Sequence, residues 1–349
     1  VAHHRLYLTT AIAAVLFGGS ASGQVLSYAH VKTEAALAAA STQYYPNGVW
    51  RDDYASGNGA PPVFFQDETG TCTANGRVSD GGSCQNSIDG NSFFAVYPGN
   101  IADAREWGVV VSTSTSSDVA LNAAAAWAGA NRGTILGPAG PVALTGTATV
   151  ALNTMRLECE QSGPAAIANT SGAILLGEQG TTFWITSTSV QPFTVASAVR
   201  VEGCSFYWPS QNGTTPTVYK ALITEPTGQQ MGNVDFVNDR IINAYDFLDQ
   251  ASLSDAIGGI HLIGTQGYAI RDWFKIGNVP EFVTLTNFVA DSNLYENIAN
   301  PGASTGLAAW TAANGAVFDV FGNGNGSTTA STALVQGVQG TKMGVAGYR

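Results

Sequence analysis

A chain of 349 residues that is 45% hydrophobic can bury a sizeable core, yet charged residues make up 11% where an average soluble domain has about 25%. With 41 glycines as well, this composition excludes coiled coils, helical bundles and charged disordered tails. Lys and Arg total 14 against 25 Asp and Glu, so the net charge is −11 with no basic run, and no nucleic-acid partner is expected.

The chain opens with His3, His4 and Arg5, an apolar run from Leu6 to Phe17, and the small residues Ala21, Ser22 and Gly23. This order predicts an export signal over 1–23, and hence a secreted or periplasmic protein. The apolar run is short for a membrane span and no later stretch reaches the length of one, so no span is expected in the mature protein.

From 24 to 101 the sequence predicts a small N-terminal module of irregular structure. Thr33 can cap a short helix to Ala40, but Tyr44 to Phe65 mixes Pro, Gly and aromatics without a lasting period. Cys72 and Cys84 flank a Gly/Ser/Asn-rich segment and are expected to close it as a disulfide. Cys159 and Cys204 fall within strand patterns, where a buried thiol and a bonded cysteine are equally compatible with the sequence. No CxxC occurs and three of the four histidines precede the folded body, so no metal site is expected.

The remainder, 102–349, predicts one β domain. Ser117 or Asp118 can cap a helix in which Leu121, Ala124, Ala125 and Ala128 share a face, with Gly133 past its end. Short strand-like runs follow, and four of them can be written in one register: VRVEG from Val199, VDFVN from Val234, IHLIG from Ile260 and VTLTN from Val283. The first and third positions are apolar, and the fifth is Gly203, Asn238, Gly264 or Asn287, residues that tolerate a left-handed bend. The starts lie 35, 26 and 23 residues apart, the size of one solenoid coil with variable loops. Met155 to Cys159 fits as an earlier coil and Phe318 to Gly322 as a later one. A capping helix followed by such coils predicts a right-handed parallel β-helix.

The stretches ADAREWG (Ala102 to Gly108), SSDVALNAAAAWAGANRGTILGPAG (Ser116 to Gly140) and MRLECEQSGPAAI (Met155 to Ile167) resemble the opening of the pectate-lyase-like β-helix superfamily. Asp118 stands alone where two acidic residues are common there, and Cys159 replaces a usual glycine. Tyr44 to Phe65 is similar to modules that precede such β-helices in bacterial exported and prophage tail proteins. The resemblance implies an architecture shared by lyases, hydrolases, epimerases and adhesins, so activity has to come from a site.

Register suggests two sites. Counting from the bend residue, Asp246 and Asp272 share a phase and should stack on adjacent coils about 4.8 Å apart, a spacing suited to paired glycosidase carboxylates. Tyr245, Arg271 and Trp273 beside them are candidate substrate-binding residues. The bland alternatives are surface ion pairs, Asp272 with Arg271 and Asp249 with Lys275. A second column joins Asp235 and His261, with Arg200 in the preceding repeat, as a general-base candidate. Tyr207, Trp208, Tyr245, Trp273, Phe274, Tyr295 and Trp310 could stack on sugars or pack under loops.

The expected function is therefore an exported polysaccharide-active β-helix protein, a glycoside hydrolase or lyase with its groove along the solenoid. The alternative is a non-catalytic glycan-binding adhesin or tail-spike-like protein. Polysaccharide is the expected partner and no cofactor is expected, although a lyase would bring calcium; a tail-spike-like protein would bring a trimer and a place in the virion.

Overall fold

The computed structural model describes residues 29–160, 180–210, 217–250, 258–268, 272–276 and 283–291, with the short strands Ala166–Ile167, Ile174–Leu175, Ala333–Gln336 and Gln339–Gly340. Three stacks of parallel strands form the body. The first sheet runs through Ile101–Asp103, Thr134–Gly137, Arg156–Cys159, Ser197–Glu202, Gly232–Val237, Ile260–Ile263, Val283–Thr286 and Ala333–Gln336. The second runs from Ser112–Ser116 through Gly140–Leu144, Thr181–Ile185, Ser205–Tyr207, Arg240–Ile242, Gln266–Tyr268 and Val289–Asp291 to Gln339–Gly340. The third joins Val150–Leu152, Phe193–Val195, Ile223–Thr224, Asp246–Gln250 and Asp272–Ile276. Each coil visits the sheets in this order and returns beside its own start, with the right-handed crossover that parallel strands adopt. The protein is a right-handed parallel β-helix.

The repeat has the register its sequence predicts. Val199 pairs with Val234, Val234 with Ile260 and Ile260 with Val283. Gly203, Asn238, Gly264 and Asn287 all have positive φ, of 73, 56, 65 and 49°, and turn the chain from the first sheet to the second. The last stacked strand is Ala333–Gln336, which pairs with Val283–Thr286. It holds the place expected of Phe318–Gly322, which lies outside the described residues.

Alternation fills the interior. Leu157, Val201, Phe236, Leu262 and Leu285 point inward from the first sheet, and Phe183, Phe193, Phe206, Phe247 and Phe274 join them in one core. The Phe183 and Phe206 rings stack on consecutive coils at 5.3 Å. The helix Asp118–Asn131 closes the first coil with Leu121, Ala124, Ala125 and Ala128 in that core. Its N-terminus is not held by a Ser117 side-chain cap, because the Ser117 hydroxyl accepts from Val110 N (3.2 Å). The buried Asp118 carboxylate instead accepts from Thr145 N and the Thr147 hydroxyl, each at 3.0 Å, and ties the helix to the first full coil.

Cys159 and Cys204 are bonded, with an S–S distance of 2.07 Å. Cys159 occupies the bend position beside Gly203, so the next residue, Cys204, falls within reach one coil away. Two buried thiols are thus replaced by a covalent staple between coils.

The N-terminal segment is not irregular. Ala29–Val31, Val49–Arg51, Val63–Glu68, Ser92–Ala95 and Cys84–Asn86 form a five-stranded sheet in that order, parallel at the first pairing and antiparallel elsewhere. Glu34–Ala38 is helical and Thr33 accepts from Ala36 N. Val31, Leu37, Val49, Val63, Phe65 and Phe93 make a small core of their own, and Cys72 is bonded to Cys84. Strands here pair across sequence gaps of varied length, and therefore no period appears in the sequence. The buried Arg51 guanidinium reaches the first coil and pairs with the buried Glu106 carboxylate at 2.5 Å. Nearby, Trp107 Nε1 donates to Asp80 (3.0 Å) and its ring stacks on Tyr97 (5.5 Å).

Candidate functional site

On the first sheet, residues that alternate with the core positions face outward. Arg156 and Glu158 begin this surface, Arg200 and Glu202 follow one coil on, then Asp235, then His261 and Thr284. Backbone register places Arg156 beside Arg200, Glu158 beside Glu202, Arg200 beside Asp235 and Asp235 beside His261. The Asp235 and His261 column thus lies on an open face.

Arg200 organises it. Its Nε donates to Glu202 Oε2 on the same strand (2.9 Å), and its Nη1 lies 3.7 Å from Asp235 Oδ2 on the next coil. The Glu202 hydrogen bond, with the neighbouring carboxylates, holds the guanidinium above its ordinary pKa, so it stays cationic at any working pH. Arg200 and Asp235 side chains are 34% and 32% exposed, enough for a ligand to reach them. Two carboxylates around one guanidinium, with an imidazole one coil further, supply groups for proton transfer and a donor fork for sugar oxygens. Glu202 and Glu158 escape the sequence reading although the signal is present. They are the fourth residues of VRVEG and MRLEC, and on a strand the fourth position faces the same way as the second.

The other column is different. Asp246 and Asp272 are register partners, as are Asp249 and Lys275, so the phase reading holds for the backbone. Asp246, however, is 3% exposed, and Tyr245 and Trp273 are 8% and 4% exposed within the core. The Trp273 ring lies 4.5 Å from Phe288 and 5.6 Å from Phe247. These two aromatics fill the solenoid rather than line a groove, because both faces of Tyr245 to Leu248 are covered. Tyr207, Trp208 and Phe274 are buried too. Arg271, Tyr295, Trp310 and the Asp272 side chain lie outside the described residues.

Among the described residues, no three His, Cys, Asp or Glu side chains converge as a metal-binding group. No helix among them is long and apolar enough to cross a membrane.

No family model and no curated protein matches the chain. Among solved structures it is similar to WceF of Pantoea stewartii, a glycan biofilm modifying enzyme with a bacteriophage tailspike-like parallel β-helix fold. The identity there is 16%, over 75% of this chain and 41% of that one, with a TM-score of 0.46. It is also similar to the tailspike protein gp49 of Acinetobacter baumannii bacteriophage Fri1, a capsular polysaccharide depolymerase, at 12% identity over 90% of this chain and 60% of that one, with a TM-score of 0.49. The chain therefore spans less than two thirds of the length of either protein.

Proposed function

We propose that this is an exported polysaccharide-active protein that works on the outward face of its first sheet. The five strands from Arg156–Cys159 to Val283–Thr286, at about 4.8 Å spacing, give a surface roughly 19 Å long, on which a stretch of glycan can lie along the stack. The observation that carries the reading is the cluster centred on Arg200: two half-exposed carboxylates held by one guanidinium, beside His261. Glu202 and Asp235 are the acid and base carboxylates of a hydrolytic or eliminative cleavage, Arg200 orients them and the sugar, and His261 is the second proton carrier. The buried Asp246 favours this column over the Asp246 and Asp272 pair. Non-catalytic glycan binding is the second reading, supported by the ion pairing that already occupies both carboxylates.

Incubation with a panel of bacterial and plant polysaccharides, followed for new reducing ends and for unsaturated products, tests it. Glu202→Gln and Asp235→Asn should each lower turnover by about a hundredfold or more. Both fold normally, since exposed ion pairs contribute only about 0–1 kcal/mol. If Asp246→Asn abolishes activity and these two do not, the buried column is the site. Binding without cleavage assigns the protein to the second reading.

A further inference from the structure

The face of the N-terminal sheet that points away from its core should be polar if it met only water. It carries instead a row of rings: His30, Trp50 and Phe64 are register partners on three adjacent strands, and Phe64 O accepts from Val96 N (2.9 Å). Where this row meets the first strand of the solenoid there is a cavity of about 470 Å³, within the roughly 300–1,000 Å³ range of small-molecule sites. Trp50, Pro62, Phe64, Val96, Ile101 and Asp103 are on its wall. Val96 and Ile101 are 41% and 49% exposed, an apolar rim left open among the described residues.

Charge narrows the ligand. The two carboxylates on the wall are already balanced, Asp103 by Arg105 at 2.8 Å and Glu106 by Arg51 at 2.5 Å. An ionic ligand meets no uncompensated partner on this wall, and a neutral one incurs no such penalty. One polar handle remains on the wall: of the roughly four lone-pair sites of the Asp103 carboxylate, Arg105 uses three. Outside the cavity, next to Trp50, His30 and Asp52 are hydrogen-bonded at 2.7 Å. Aromatic walls that take apolar C–H faces, a carboxylate acceptor for a hydroxyl and no net charge are the chemistry of a neutral sugar.

We infer that this seam between the N-terminal sheet and the first coil is a second carbohydrate site, taking one or two neutral pyranose units. It is separate from the Arg200 cluster and does not depend on that cluster being catalytic.

Saturation-transfer NMR on the full chain tests it, with cellobiose, maltose, lactose and N,N′-diacetylchitobiose as probes and tetramethylammonium and benzoate as charged controls. At least one disaccharide should receive saturation. Trp50→Ala should weaken that binding about tenfold or more. Ile101→Arg at the exposed rim, which leaves the core untouched, should weaken it as well, and Glu202→Gln should not change it. The site is refuted if no disaccharide binds, if binding survives both Trp50→Ala and Ile101→Arg, or if a charged control binds more tightly. A signal lost in Glu202→Gln alone places the sugar at the Arg200 cluster and equally refutes the seam. Turnover of short glycans that persists in Ile101→Arg but not in Glu202→Gln separates the two sites.

Discussion

In the solenoid each strand lies beside its counterpart one coil away, so the same contact recurs up the stack. In the N-terminal sheet no contact occurs twice. The solenoid is held by ladders whose loss at one position is shared with neighbours above and below. The N-terminal sheet relies on single features: a disulfide, a core of a few side chains and one buried ion pair to the first coil. Damage at a single residue should therefore cost more near the N-terminus than in the coils.

The largest effect is expected at Arg51. Its removal leaves Glu106 buried without a counter-charge, and Arg51→Met should destabilise the N-terminal unit by about 3–5 kcal/mol in chemical denaturation. Pairing it with Glu106→Leu should recover most of that loss. A small effect of Arg51→Met would break the contrast.

The two disulfides sharpen it. Chain entropy sets a ceiling of about 4 kcal/mol for the 45-residue separation of Cys159 and Cys204 and about 3 kcal/mol for the 12-residue separation of Cys72 and Cys84. If the ladders share load, Cys159→Ala with Cys204→Ala should fall further short of its ceiling than Cys72→Ala with Cys84→Ala. Thermal melts of the two double variants decide the order.

A smaller cost is expected at one rung. Asn238→Val places a β-branched residue at φ 56° and should cost about 1–2 kcal/mol. Hydrogen exchange should show the opening confined to adjacent coils.

The contrast also has a pH dependence. Desolvation pushes the Glu106 carboxyl from 4.5 up to about 7, against the pull of Arg51. A pKa raised on folding means that the stability it contributes is complete below pH 4.5 and is lost as pH rises through about 7. The denaturation midpoint of the N-terminal unit should fall over that window, and Glu106→Gln should flatten the slope. In the coils, burial also raises Asp239, whose carboxylate accepts from Cys204 N (2.7 Å), so the sign there is the same.

Repetition also decides what the sequence discloses. The bend residues and their register could be found because four segments carry the same pattern, and the capping helix because its small apolar face recurs at helical spacing. The five-stranded N-terminal sheet could not, since its pairings, such as Val49 with both Ala29 and Phe65, follow no interval. For the site, phase gave neighbours but not faces. Asp246 and Asp272 do share a register position, yet phase alone does not tell that Asp246 is covered. Glu202 was legible in principle, two residues beyond Arg200 on the same strand. Arg51 with Glu106 was not, because a pair 55 residues apart that occurs once leaves no pattern.

The column of bends has a consequence for how such a chain can lengthen. Going up the first sheet the positions read Gly137, Cys159, Gly203, Asn238, Gly264 and Asn287, a glycine alternating with a larger residue. A Cβ at Gly264 would sit 2.4 Å from Asn238 Oδ1, and one at Gly137 would sit 3.1 Å from Cys159 Sγ. Inserting a copy of an Asn-bearing coil next to itself would set two large residues side by side, with an amide forced to swing away. Inserting a copy of two successive coils keeps the alternation intact, so the pair is the unit by which this stack can be lengthened without strain at the bends.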